Sequence, residues 1–264
     1  MIDLAKYLRS KKHYISNCGH DERGKYKGGQ AGDQTGGEYC LRVWYSRPWN
    51  MVFRYPTLAV RECIASLSIE AALNNHIGYN QSKRTTFWSQ LRASDYDPSK
   101  ISVNCDADCS SSTAAIIKAA GYIMDIPKLQ QVPVGTTTST MRVNLLAAGF
   151  TMLTSSKYLA TPDYLLPGDI LLYETHHAAI NVTYGSKVAT DFIYSPVMAV
   201  ITGKTVNIRS GPSTDYNVIK IAKRGDSFPY TGESFSTGSG WHKISLDDEN
   251  GFVSAKFSRI VERG

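Results

Sequence analysis

Between Thr57 and Gly149 the apolar residues of this chain recur at helical spacing, and from Pro167 onward they recur at strand spacing. Helices first and strands after confine the chain to an α+β layer fold. Thr57 is placed to cap a helix whose buried face is Ala59, Cys63, Ile64, Leu67, Ala71 and Ala72, with Gly78 as its end. A second helix is expected over 86–93. A third starts at or just after Asp108, carries Ala114, Ile116, Ile117 and Ala120, and has Gly121 at its C′ position. A fourth, over 139–148, is closed in the same way by Gly149. After the turn Pro167-Gly168-Asp169, strands are expected at 170–173, 177–182 and 188–193. A short amphipathic helix is expected within 1–10, and the Gly-rich, polar and aromatic stretch 16–48 reads as a long loop that serves a site.

The texture changes at Pro196. Beyond it short strands follow one another at 197–201, 206–209, 218–221, 227–230, 241–244 and 251–253, the pattern of a small all-β barrel. The 264 residues therefore divide into a larger domain, 1–195, and a barrel, 196–264.

Composition narrows the function classes. No apolar run is long enough to span a membrane. The first ten residues place Asp3, Lys6 and Arg9 among the apolar ones, so no secretory signal is expected there, and a protein of this kind working outside the cytoplasm needs another route of release. The 29 Lys and Arg against 23 Asp and Glu give a net charge of +6, which favours an anionic partner: nucleic acid, a membrane surface or a teichoic-acid-laden cell wall. No dense Lys/Arg run singles out nucleic acid. The five cysteines, Cys18, Cys40, Cys63, Cys105 and Cys109, are odd in number and unevenly spaced, which speaks for at least one free thiol.

Cys109 stands where a helix N-terminus favours a thiolate, after Asp108 as cap and before the small polar residues Ser110, Ser111 and Ser112. Downstream, His176 and His177 sit on an expected strand. Period-2 alternation puts His176 with Ala178, Ile180 and Val182 on the apolar face, and His177 with Ala179 and Asn181 on the face of a polar cleft. His177 is therefore the better base. A zinc site from Cys18-x-His20, Cys105-x₃-Cys109 and the His pair has poor spacing, and His20, Asp21, Glu22 and Asp33 lack the regular calcium-loop pattern, so neither metal nor cofactor is expected.

Asp108-Cys109-Ser110-Ser111, then Leu166-Pro167-Gly168-Asp169-Ile170, then His177-Ala178-Ala179-Ile180, resemble in order and spacing the signatures of NlpC-type cell-wall cysteine peptidases. The Gly-rich block from Ser16 to Thr35 is similar to the N-terminal region of phage and prophage endolysins of this group. Val206-Asn207-Ile208-Arg209-Ser210-Gly211-Pro212, with Gly240-Trp241 and Gly251-Phe252-Val253, resembles a bacterial SH3-type wall-binding domain. The resemblance implies a papain-like catalytic domain followed by the barrel, without cofactor, acting on peptidoglycan with Cys109 as nucleophile and His177 as base. Such families place a polar orienting residue, often His, on the strand after the catalytic His. This chain offers Ala189, Thr190 and Asp191 there, and Asp191 is taken as the orienter with Thr190 or Asn181 open; its task is to hold Nδ1–H so that Nε2 faces the thiolate.

By the same resemblance Asp106, Asp108 and Ser110 are candidates for binding the stem peptide and Gln34 for the oxyanion; in the barrel Tyr216, in the loop after Gly211-Pro212, reads as exposed and able to stack on the wall ligand, while Trp241 and Phe252 read as core in so small a barrel. The implied activity is cleavage of a stem-peptide amide, after γ-D-glutamate, in an endolysin that gathers in the host cytoplasm until a holin opens the membrane. An N-acetylmuramoyl-L-alanine amidase and a non-enzymatic wall-binding phage protein are the alternatives.

Overall fold

The computed structural model describes residues 4–8, 10–20, 24–25, 38–188, 197–246 and 249–262, and separates into a first unit of 1–56 and 60–188 and a second of 57–59 and 189–264. The first comprises α1 (Leu4–Leu8), β1 (Tyr14–Cys18), β2 (Tyr39–Val43), β3 (Met51–Arg54), α2 (Leu58–Leu73), β4 (Ile77–Tyr79), α3 (Thr86–Ala93), β5 (Cys105–Ala107), α4 (Cys109–Ile123), α5 (Pro127–Gln130), α6 (Met141–Ala147), β6 (Thr151–Leu153), α7 (Ser156–Leu159), β7 (Ile170–Tyr173) and β8 (His177–Asn181). Six of the strands form one antiparallel sheet in the order β2-β1-β8-β7-β3-β6. β8 lies in its middle and is buried along its whole length.

That central position is possible because β8 carries small or apolar residues on both faces. Ala178 and Ile180, with Val182 just beyond the strand, join the main core with Ala114, Ile116 and Ile117, while Ala179 joins a second cluster of Ile15, Trp49, Val52, Leu165 and Leu171. The expected polar face of this strand is therefore corrected. Ala179 and Asn181 are covered by that second cluster and its turn, and only His177, at the strand's first position, reaches a cleft.

The turn before β7 is fixed by a fully buried carboxylate. Asp169 accepts from Arg54 Nε at 2.8 Å, Arg54 Nη2 at 2.6 Å and the Leu166 N–H at 2.8 Å, and Asn181 Nδ2 donates to Leu166 O at 2.8 Å. Gly168 takes φ +80°, and a Cβ there would lie 2.2 Å from Arg61 O. Only glycine fits the turn that launches the β7–β8 hairpin.

Three sequence expectations change. The helix expected up to Gly78 stops at Leu73, and Gly78 sits in β4, paired in parallel with Asp106 of β5. The stretch 16–48 is not all loop, since β1 and β2 lie at its two ends; Ser16 and Asn17 are polar yet buried, which hides the strand pattern. Gly121 does not end α4 but lies inside it, where a Cβ would meet Gln130 N at 2.6 Å and Leu129 Cβ at 2.7 Å. It is the close approach of α5, not a cap, that calls for glycine. The strand expected at 188–193 and the joint at Pro196 fall almost wholly outside the described residues.

The second unit is all β: β9 (Val197–Ile201), β10 (Thr205–Arg209), β11 (Val218–Lys223), β12 (Ser227–Phe235), β13 (Trp241–Ser245), β14 (Asn250–Ser254) and β15 (Ser258–Glu262). The order is β11-β10-β14-β13-β12-β9-β15 around a core of Ala199, Ile201, Val206, Ile208, Ala222, Phe228, Ile244 and Val253. β15 was not foreseen from the sequence. It pairs antiparallel with β9 along its whole length and so closes the C-terminal end of the chain onto the unit. Helices and strands together make the chain α+β, with the all-β part at its C-terminal end. Among the described residues no helix is long and apolar enough to cross a membrane.

Candidate active site

β4 and β5 run side by side into the N-terminus of α4, and this strand-to-helix turn sets the position of Cys109 as the first residue of the helix. Asp108 is the N-cap. Its Oδ1 accepts the N–H of Ser110 at 3.1 Å and of Ser111 at 2.7 Å, while Ser111 Oγ accepts the Asp108 N–H at 2.9 Å, a reciprocal capping box. Its Oδ2 lies 2.9 Å from Arg84 Nε. Arg84 also donates to Ser110 Oγ and to the carbonyl of Thr136. The Ser112 N–H is taken by Asp108 O at 2.9 Å. Of the first-turn donors, the Cys109 N–H alone has no acceptor among the described residues, which leaves it open to a developing oxyanion.

His177 approaches from the sheet. Its Nε2 is 2.7 Å from Oδ1 of Asn17, which stands on the neighbouring strand β1 and is itself buried. The Tyr45 hydroxyl donates to the same Oδ1 at 3.2 Å. Because that oxygen is an acceptor, Nε2 carries the proton of the neutral ring, and Nδ1 is the nitrogen with a lone pair. The expected assignment is thus reversed, Nε2 being held and Nδ1 being the free base. Trp49 stacks on the imidazole at 5.9 Å between centroids, and its Nε1 donates to Tyr45 O at 3.2 Å, so the ring is fixed by one hydrogen bond and one flat aromatic face.

Cys109 and His177 open on one cleft of about 360 Å³, which Asn17, Arg42, Tyr45, Arg47, Tyr79 and Gln81 also line. The Ala178 backbone, one residue beyond His177, hydrogen-bonds the Cys109 sulfur. Burial, followed by the charge of Asp108, pushes the Cys109 thiol up to about 11, and the helix N-terminus does not overcome this. Burial, followed by the charges of Arg47 and Arg42, pushes His177 down to about 4. At neutral pH the resting pair is therefore a thiol and a neutral imidazole.

A family model described as an endolysin-like domain matches residues 15–188, and one described as a bacterial SH3 domain matches residues 204–259. The chain belongs to the endolysin-like domain family. No curated protein matches it. In this endolysin-like protein the first match spans the whole cleft, from Asn17 to His177, and the second covers β10 to the start of β15. An endolysin-like domain joined to a bacterial SH3 domain points to hydrolysis of peptidoglycan by a chain that also binds the cell wall.

The other sequence-derived site residues of this endolysin-like protein take varied places. Asp108 and Ser110 are buried, and the carboxylate of Asp108 is engaged on both oxygens by the helix end and Arg84. Gln34, Thr190 and Asp191 lie outside the described residues, and Asn181 holds the backbone at Leu166 and Thr183 instead of the imidazole. His176 is exposed and stacked on Tyr173 at 4.1 Å. All five cysteines are free thiols, and among the described residues no three His, Cys, Asp or Glu side chains gather as a metal site requires. In the second unit Trp241 is 6% exposed and Tyr216 49%. Asn17, Tyr45, Trp49, Arg42 and Arg47 were missed as site residues. The available signal was a polar residue at Asn17 between aliphatic and thiol neighbours, and a cluster of aromatic and basic residues just before β3.

Proposed function

We propose that this chain is a cysteine amidohydrolase of peptidoglycan, of the NlpC-type, papain-like kind, that cleaves the stem peptide after γ-D-glutamate. The observation that carries the reading is one cleft holding a thiol at a helix start and an imidazole whose Nε2 is bound by Asn17. In chain order the set is Asn17, Cys109, His177. The orienting strand β1 precedes the nucleophile in sequence and lies beside β8 in the sheet.

In the proposed reaction His177 Nδ1 takes the thiol proton as Sγ attacks the amide carbonyl carbon. The Nε2–H···Oδ1 bond to Asn17 steadies the imidazolium so formed. The tetrahedral oxyanion lies at the Cys109 N–H at the positive end of α4, a donor left free by the Asp108 cap. Collapse breaks the C–N bond while Nδ1–H returns its proton to the leaving amine. Water, deprotonated by the same nitrogen, then attacks the thioester, releases the carboxylate and restores the thiol. The SH3-type unit keeps the enzyme on the wall and raises its local concentration there. Release from the host cytoplasm through a holin-opened membrane is part of the same proposal.

The deciding experiment is digestion of purified Gram-positive peptidoglycan by the wild type and Cys109→Ala, with amino groups and reducing ends followed together. Amine release without reducing ends, lost in Cys109→Ala, is the expected result. Release that survives the substitution overturns the thiol mechanism. No release from the wild type turns the reading toward a wall-binding protein without activity.

A further inference from the structure

We propose that Arg42 and Arg47 form a carboxylate-binding site beside Cys109 and His177, and that it selects substrates whose acyl residue keeps a free α-carboxylate next to the scissile amide. The inference rests on the hydrolase reading above and adds the group that the cleft recognises.

The charge of the cleft is one-sided. Among its described lining residues there are two arginines and three histidines, and no Asp or Glu. Elsewhere in the first unit Arg54, Arg84 and Arg142 each meet a carboxylate, of Asp169, Asp108 and Glu174. Arg42 and Arg47 meet none among the described residues. Arg42 instead has Nη2 at 3.4 Å from His20 Nε2, and the Arg47 guanidinium lies over the Tyr45 ring at 5.5 Å from its centroid. Both line the cleft, and Tyr45, beneath Arg47, ties that guanidinium to the Asn17–His177 pair.

Two cations facing a catalytic base work against it while the cleft is empty, since both disfavour the imidazolium that the reaction forms. A bound anion removes that penalty. Arginine suits a carboxylate because its planar fork matches the two oxygens, and such bonds are the stronger kind. An acyl residue joined through its side chain, as a γ-linked glutamyl residue is, carries its α-carboxylate a few bonds from the reacting carbonyl. With the attacked carbon at Cys109, that carboxylate stays inside the cleft that the two arginines also line. The bound carboxylate then has two effects, orienting the amide and supporting the proton on His177.

The test uses the full chain, after Cys109-dependent amine release from peptidoglycan has been established. Three synthetic stem peptides are compared: one with a γ-linked glutamyl residue, one with its α-carboxylate as the carboxamide, and one with only the C-terminal carboxylate amidated. Wild type is expected to prefer the α-carboxylate over its carboxamide by roughly 10- to 100-fold in kcat/KM, the worth of a hydrogen bond to a charged group. Terminal amidation is expected to have little effect. In Arg42→Gln/Arg47→Gln, with an unchanged thermal midpoint, the preference is expected to collapse, the α-carboxylate and carboxamide peptides being cut with similar kcat/KM. Equal cleavage of both glutamyl peptides by the wild type, a preference that survives the double substitution, or one that follows the terminal carboxylate overturns the proposal. So does failure to cut any of the peptides while peptidoglycan is digested. Absence of Cys109-dependent digestion overturns the hydrolase reading itself, and the carboxylate site with it.

Discussion

Asn17 Oδ1 sits 2.7 Å from His177 Nε2, joining a residue near the start of the chain to one 160 positions later across two adjacent strands. The bond fixes which ring nitrogen is free. Loss of it in Asn17→Ala lets the imidazole turn under Trp49, and kcat is expected to fall by roughly 10²-fold, as for small misplacements of a catalytic group, with KM little changed. Asn17→Asp keeps the acceptor and adds a charge beside the imidazolium. It is expected to recover activity and to move the acid limb of the pH profile upward, a shift that a merely structural role for Asn17 does not produce.

The wild-type acid limb should be low. Burial, with Arg47 and Arg42, holds His177 at about 4 against 6.5 for the unperturbed ring, so the neutral base is present throughout the range above about pH 4 and is lost as pH falls through it. The pH dependence of kcat/KM on a carboxamide substrate, which brings no carboxylate to the arginines, reads this directly. In Arg42→Gln/Arg47→Gln the limb is expected to rise part of the way toward 6.5, since burial, the larger cause, stays. A wild-type limb near 6.5 contradicts the arrangement.

Cys109 has a thiol at about 11, two pH units above the ordinary value of 9.0. Its thiolate fraction at neutral pH is therefore about a hundredth of that of a free cysteine. Iodoacetamide is expected to modify Cys109 in the empty enzyme correspondingly slowly at pH 7, by peptide mass mapping. Rapid alkylation there indicates a preformed thiolate–imidazolium pair instead of the neutral pair.

The Asp108 cap is a stability element. Asp108→Ala removes the acceptor of two helix N–H groups and leaves Arg84, whose side chain is 21% exposed, without its carboxylate. A lost cap costs about 1 kcal/mol and a stranded, largely buried charge adds to it, so the sum is expected to reach about 2 kcal/mol or more. The thermal midpoint of the catalytic unit is expected to fall by several degrees. Asp108→Ser, which keeps a capping oxygen, is expected to lose less.

The legible parts of this fold were those with local punctuation. α3 and β7 fall on their expected limits, and Cys109 and His177 were legible because a cap and a strand start mark them. Asn17 was not, because its meaning depends on β1 pairing with a strand that begins far downstream, and nothing local distinguishes a buried strand Asn from a loop Asn. Gly121 was misread for a related reason: its glycine answers to α5 across the core, and only tertiary packing shows that. The direction of the Cys109 shift was also hidden. A helix N-terminus is visible in sequence, whereas the burial that outweighs it is not.

In the SH3-type unit two aromatic residues are expected to separate stability from binding. Trp241 is 6% exposed on β13, so Trp241→Ala is expected to cost about 3–5 kcal/mol and to unfold the unit near physiological temperature. Tyr216 is 49% exposed and lies over Gly211, where a Cβ would come within 2.4 Å of its ring, while its carbonyl accepts from Arg209 Nη1 at 2.7 Å. The backbone contact survives substitution and the exposed ring does not. Tyr216→Ala is therefore expected to leave the thermal midpoint within a degree or two and to weaken sedimentation with purified cell walls severalfold, as for loss of one stacking aromatic. Undiminished sedimentation by a folded Tyr216→Ala chain places the wall contact on another part of the barrel.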